Sequence, residues 1–198
     1  MDIIVATHNR DKLSEMSAIA KGYPVRFLSL EALGLEILIE ETGQTFDDNA
    51  LIKARAVYER THRMVMADDS GLCVDALMGA PGLYSARYGG ATASDTANVS
   101  YLLDQMTAIP PENRSAAFCC SLAVLFPNGR ERVYHGITKG MIALSPAGAM
   151  GFGYDPVFIP EGGTRTMAQM TGREKNQISH RSRALGAFLR EYFPSVCR

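Results

Sequence analysis

The sequence predicts an α/β protein organised around a mixed β-sheet. Short apolar runs alternate with segments of helical spacing through the first hundred residues, the pattern of strands interleaved with helices. A strand–turn–strand signal follows around Pro127-Asn128-Gly129, which adds a hairpin and makes the sheet mixed. Polar loops come after several predicted strands, and strand ends are where open α/β sheets hold ligands.

Each element has its own signal. Asp2 to Ala6 (DIIVA) reads as a buried strand, and Leu13, Met16, Ile19 and Ala20 then recur at helical spacing. Gly22-Tyr23-Pro24 ends that helix, and VRFLSL (25–30) reads as a second strand. EETGQTFDDN (40–49) is polar and turn-rich, and leads into a helix with Leu51, Ala54, Val57 and Tyr58 on its apolar face. Met64 to Ala67 is expected to be a short strand ending at ADDSG (67–71). Residues 71–92 are rich in glycine and proline and are expected to form a long ordered loop. Val99, Leu102, Leu103 and Met106 mark another helix. Ala116 to Phe126 and Arg132 to Thr138 are the arms of the hairpin. GFGYDPVF (151–158) is a loop entering a short strand, and ISHRSRALGAFLREYF (178–193) closes the chain as one amphipathic helix.

Residues 1–198 are expected to form a single domain, because 198 residues with 46% hydrophobic content can bury a substantial core. The net charge of -1 supplies no global field toward nucleic acid or a membrane surface, so an anionic partner must be met by a local cluster. No apolar run approaches a membrane span, and the N-terminus lacks the basic head of a signal peptide. A cytoplasmic location is the expectation that fits the cysteine usage. Of the four cysteines, Cys73, Cys119, Cys120 and Cys197, none forms a C-x-x-C pair. They read as reduced and mostly packed, with Cys119 and Cys120 on opposite faces of a strand.

Five polar clusters carry the chemistry. In THNRDK (7–12) a strand opens into a helix start, where unpaired N–H groups attract anions and Lys12 adds a charge. A solvated helix cap explains the same residues. Glu40 and Glu41 are adjacent acids, and Asn49 and Lys53 share one helix face, either toward a phosphate or toward solvent. ADDSG sets Asp68 and Asp69 side by side. Such oxygen-rich sites suit Mg²⁺, which takes one or two carboxylates and completes its shell with water and phosphate. An Asp turn is the structural alternative. GFGYDP (151–156) offers glycines for close backbone approach and aromatics that can stack on a base, or else core aromatics in a turn. KNQISHR (175–181) places Lys175, His180 and Arg181 at the start of the last helix, where cations oppose the helix dipole.

ATHNRDKLSE, ETGQTFDDNALIKARA, ADDSGLCVDAL, GAPGLYSARYGG, GFGYDPVF and KNQISHR occur in one order along almost the whole chain. In this the sequence resembles the inosine/xanthosine triphosphate pyrophosphatase family, which clears aberrant purine nucleotides from the pool. The resemblance implies a homodimer with an elongated mixed sheet, two lobes and a central active-site cleft. It implies Mg²⁺-dependent hydrolysis of ITP, dITP and XTP to the monophosphate and pyrophosphate. By position, Thr7, His8, Asn9, Arg10, Asp11 and Lys12 would bind the triphosphate, with Lys53 facing it and acting with the general base Asp69. Glu40, Glu41, Asp68 and Asp69 would be the metal-site acids, and Ser70 would contact substrate. Phe152, Gly153, Tyr154, Asp155, Lys175, His180 and Arg181 would form the nucleoside pocket. Gln169 and Met150 depart from the family's common pattern, outside these signatures. A pyrophosphatase for modified pyrimidine nucleotides and a nucleotide sensor without turnover are the rival readings. Paired acids argue against the sensor, since a pure triphosphate binder gains little from them.

Overall fold

The computed structural model describes residues 1–194 and 196, so Cys197 lies outside the described residues. The chain begins with β1 (Asp2–Val5), α1 (Arg10–Ile19), β2 (Arg26–Ser29), α2 (Phe46–Thr61) and β3 (Val65–Val74). It continues with α3 (Asp95–Gln105), β4 (Ser115–Leu125), β5 (Glu131–Ile142), β6 (Phe158–Pro160), α4 (Gly172–Ile178) and α5 (His180–Tyr192). Among the described residues the strands form one sheet in the order β2-β1-β3-β4-β5-β6. β1 lies parallel to β2 and β3, with Ile4 opposite Leu28 on one side and Val65 on the other. β5 and β6 are antiparallel, so the sheet is mixed, as expected.

The chain divides into two compact units. The first comprises residues 1–69, 120–136 and 180–198, the second residues 70–119 and 137–179. In the first, side-chain alternation along the strands feeds two separate cores. Ile3, Val5, Met64, Met66, Leu122 and Val124 face one way and pack against Met16 of α1 and Leu185 and Phe188 of α5. Ile4, Ala6, Val65, Ala67, Ala123 and Leu125 face the other way, against Ala50, Ala54 and Val57 of α2. The second unit has its own core, in which Leu72, Val74, Phe118 and Phe158 meet Val99, Leu102 and Met106. Each fully buried Leu or Phe contributes about 1.5–3 kcal/mol through the apolar surface it removes from water.

The helices begin where the chemistry of their first turns dictates. Thr45 caps α2 through a reciprocal pair of bonds with Asp48, which explains a start at Phe46, inside the polar stretch. Ser94 caps α3 by accepting the N–H of Ala97. The Phe126–Arg130 turn closes the β4–β5 hairpin, with Gly129 at φ 79°.

Three expectations require correction. β3 does not end at Ala67. It runs ten residues to Val74 and carries Asp68 and Asp69 in its interior, followed by Leu72 and Val74, which are core residues. The strand continues because each carboxylate finds a cation, as described below. Residues 71–92 are consequently a strand end followed by short 3-10 turns at Asp75–Leu77 and Gly82–Arg87, not one loop. The last helix is two helices, broken at Ser179, whose ψ of 150° is extended. Lys175 therefore belongs to α4, and only His180 and Arg181 open α5. Cys120 is buried and Cys119 half-buried, as alternation on β4 predicts, and both thiols are free, as is that of Cys73.

Candidate active site

Adjacent residues of a strand point to opposite faces, so Asp68 and Asp69 enter different surroundings. Asp68 shares its face with Met64 and Met66, the side covered by α1 and α5. There its Oδ1 lies 2.7 Å from Lys12 Nζ, and its Oδ2 accepts from Arg181 Nε at 3.1 Å and lies 3.0 Å from Nη2. Arg181 also donates from Nη1 to Glu15 of α1. Asp68 and Arg181 are almost wholly buried. Burial alone would push the Asp68 carboxyl up, but Arg181 and then Lys12 outweigh it and hold the group well below the usual carboxylate range. Burial of Arg181 is outweighed in the same way by Asp68 and Glu15, which raise its pKa. Two acids and two bases thus neutralise one another between α1, β3 and α5.

Asp69 shares its face with Val65 and Ala67, the side covered by α2. Lys53 of α2 donates to its Oδ1 at 2.8 Å and to Glu41 Oε1 at 3.2 Å, so two carboxylates flank one ammonium. Burial raises the Asp69 pKa, Lys53 opposes the rise, and Glu41 adds to it, leaving a net shift upward. Burial would lower Lys53, but Asp69, Asp68 and Glu41 together raise it and keep it charged. The two upward shifts differ in origin: burial raises Asp69, and the surrounding acids raise Lys53. Two neighbours on one strand therefore have opposite tendencies, Asp68 held as an anion and Asp69 ready to take a proton.

The start of α1 combines both readings of THNRDK. Asn9 is a true N-cap, its Oδ1 accepting the Lys12 N–H at 2.9 Å, and Thr7 Oγ1 accepts the Asn9 N–H at 3.1 Å. His8 Nε2 lies 3.1 Å from the Ile37 carbonyl. Arg10 is turned to Glu31 through two bonds of 3.1 and 3.0 Å, and Asp11 is exposed in the first turn. Helix geometry still leaves the first N–H groups of α1 without intrahelical acceptors. Glu40 is exposed.

In the second unit, GFGYDP closes on its own aspartate. Asp155 Oδ2 accepts the Phe152 N–H at 2.9 Å and the Lys175 ammonium at 2.5 Å. Gly151 is required there: its φ is 77°, and a Cβ would lie 2.0 Å from Asp155 Oδ2. Tyr154 is a core residue whose hydroxyl donates to the Ser85 carbonyl at 2.9 Å. Phe152 is only half-buried, with Lys175 Nζ 4.8 Å from its ring centroid. Gly153 N–H donates to Asp95 at the start of α3. Ser70 is half-buried on β3, and His180 is buried in the first turn of α5.

Asp68, Asp69, Lys12, Lys53, Glu41 and Arg181 thus belong to linked charge pairs within one unit, and Phe152, Asp155 and Lys175 to a cluster in the other. Sequence reasoning missed Glu15 and Asp95. Glu15 had a readable signal, since it stands three residues from Lys12 on the same helix face. Asp95 had none beyond being an acid in a helix first turn.

The Asp68 cluster makes a stability prediction. Asp68→Asn leaves Arg181 buried with less negative charge than it needs, and should cost about 3–5 kcal/mol of unfolding free energy in urea titrations at pH 7. A loss below about 0.5 kcal/mol, the range of inert surface changes, contradicts the pairing. The folded chain favours the ionised Asp68. Its contribution is therefore complete above the unfolded-state pKa of about 4 and disappears as the pH falls below that value.

A family model described as "Ham1 family" matches residues 3–191. The chain is 47% identical over 189 residues to the dITP/XTP pyrophosphatase of Streptomyces coelicolor, covering 94% of each chain. It is 47% identical over 186 residues to that of Bacillus subtilis, covering 93% of each. Among solved structures, the dITP/XTP pyrophosphatase of Mycobacterium abscessus superposes with a TM-score of 0.77 at 48% identity, covering 96% of this chain and 99% of that one. The Staphylococcus aureus Ham1 protein does so with a TM-score of 0.86 at 37% identity, covering 98% and 99%. With a family model spanning nearly its whole length and close relatives sharing its fold, this chain belongs to the Ham1 family.

Proposed function

We propose that this protein is a nucleoside-triphosphate pyrophosphatase that hydrolyses dITP, XTP and ITP to the monophosphate and pyrophosphate with Mg²⁺. The observation that carries the reading is the pair of carboxylates around Lys53, joined to the activity named for relatives 47% identical over more than nine-tenths of the chain. The reading extends to a homodimer working on the cytoplasmic nucleotide pool, as the family resemblance implies. Among the described residues no helix is long and apolar enough to cross a membrane.

The donor set fits the proposed ion. Glu41 and Asp69 offer oxygens, and magnesium takes one or two carboxylates and fills its shell with water and substrate phosphate. Glu40, which is exposed, is the remaining acid of the proposed set; Asp68, on the other face of β3 with its oxygens held by Lys12 and Arg181, does not join it. When bound, the ion offsets phosphate charge and acidifies water.

The chain's own residues do the rest. A water oxygen bonds to the α-phosphorus while the bridge to the β-phosphate breaks, and pyrophosphate leaves. Asp69, its carboxyl raised by burial and Glu41, takes the water's proton. Lys12, Lys53 and the first N–H groups of α1, with Thr7 to Asp11 and Ser70 around the phosphates, hold the charge gathering on pyrophosphate. Asp68 keeps Lys12 and Arg181 in place. Phe152 to Asp155, Lys175, His180 and Arg181 serve the base, with the Phe152 ring as a stacking face. A 6-oxo purine presents an acceptor where adenine presents a donor. A donor-lined site left facing a donor loses about 1–3 kcal/mol per unpaired group.

Asp69→Asn should lower kcat about 10²–10⁴-fold while nucleotide binding, measured by calorimetry, persists. Unchanged kcat removes Asp69 from the role of base. The acid limb of the kcat/KM profile should lie above the ordinary aspartate value of about 3.9. Lys53→Met removes the cation that opposes protonation of Asp69, so the residual activity should show that limb displaced to higher pH. Displacement to lower pH contradicts the electrostatic account. In a pyrophosphate-release assay over purine and pyrimidine triphosphates, ITP and XTP should exceed ATP in kcat/KM by roughly tenfold or more. Comparable rates with ATP end the account of base choice, and a pyrimidine as the best substrate points to the rival pyrophosphatase.

A further inference from the structure

Glu41 lies in a loop, twelve residues before Lys53, yet the proposed site depends on its carboxylate meeting that ammonium. The loop is fastened to α2 one turn earlier. Asn49, only 2% exposed, accepts the Gly43 N–H through Oδ1 at 2.8 Å. Gly43 lies so close to the helix that a Cβ would sit 2.5 Å from Asp48 Cβ, 2.7 Å from Asn49 Oδ1 and 2.9 Å from Asn49 N. Thr45 then caps the helix through Asp48, fixing the other end of the loop. Asn49 and Lys53 are one helical turn apart, and Gly43 and Glu41 are two residues apart. Pinning Gly43 at Asn49 therefore delivers Glu41 to Lys53.

From this geometry we propose that Asn49 is a positioning residue for the divalent ion, acting through Gly43 to hold Glu41 opposite Asp69. Asn49 acts through the loop, its Oδ1 accepting the Gly43 N–H. It is buried as a polar group for the sake of the loop, and glycine stands at 43 because no side chain fits between loop and helix. Neither residue appears among the ligands or the base that the resemblance implies. The inference rests on the proposed function, in which Glu41 is a metal-site acid.

The test separates the two. Mg²⁺ dependence of pyrophosphate release from ITP is measured for the wild-type protein and for Asn49→Ala, Gly43→Ala, Asn49→Asp and Glu41→Gln. In parallel, Mn²⁺ binding to the nucleotide-free proteins is followed by calorimetry, and folding by thermal melting. Loss of an outer partner of a metal ligand typically costs 10–100-fold in affinity. Asn49→Ala and Gly43→Ala should each raise the half-saturating Mg²⁺ concentration by at least about tenfold and weaken Mn²⁺ binding in step, with rate recovered at high Mg²⁺. Asn49→Asp keeps an acceptor for the Gly43 N–H and should show no rise. A purely structural Asn49 would instead lower melting temperature and active fraction with Mg²⁺ half-saturation unchanged in both alanine variants, and that result overturns the proposal. If one alanine variant does not fold, the other decides. If Glu41→Gln itself leaves the Mg²⁺ and Mn²⁺ dependence unchanged, the metal-site reading of Glu41 fails, and the positioning role fails with it.

Discussion

Two neighbouring carboxylates cannot be buried in the middle of a strand unless each meets its own cation. The alternation of β3 sends Asp68 and Asp69 to opposite faces, so the cations must come from different helices. Lys12 and Arg181 serve one face, Lys53 the other. The positions of α1, α2 and α5 in the first unit all answer this requirement, because a helix failing to deliver its cation would leave an uncompensated buried charge.

The two faces are unequal, and the roles proposed for the two carboxylates follow from the difference. Asp68 sees two cations, one of them also paired with Glu15, and is held as an anion. Asp69 is raised by burial and must share Lys53 with Glu41, so it sits higher on the pH scale. Asp68 is held by its two cations, and Asp69 is the carboxylate we propose for proton transfer, although nothing in the dipeptide distinguishes them. In GFGYDP, Asp155 likewise accepts both the Phe152 N–H and the Lys175 ammonium, which closes the turn on its own aspartate.

Much of this was legible in the sequence, for identifiable reasons. The helices with strong apolar periodicity, the DIIVA strand and the Pro127-Asn128-Gly129 hairpin are local signals, and each stands where local physics puts it. The errors arose where a long-range partner overrides the local pattern. ADDSG looks like a strand end because two acids and a glycine disfavour a strand, and only Lys53, Lys12 and Arg181, distant in sequence, make it a strand interior. The break at Ser179 was hidden because α4 before it (GREKNQI) has Ile178 as its one large apolar residue, so no apolar spacing marks it off from α5. The clusters of the candidate site could be named from residue types, but not which of their donors were already taken. Arg10 is turned to Glu31 and Arg181 is shared by Asp68 and Glu15, pairings set by the fold.

The most direct measurement of the central claim is a carbon-detected NMR titration of the side-chain carboxyls of Asp68 and Asp69 in the nucleotide-free protein. The account predicts that Asp68 remains ionised throughout the range in which the protein stays folded, while Asp69 takes up a proton above the ordinary aspartate value of about 3.9. Indistinguishable titrations, or Asp69 protonating below Asp68, would contradict it.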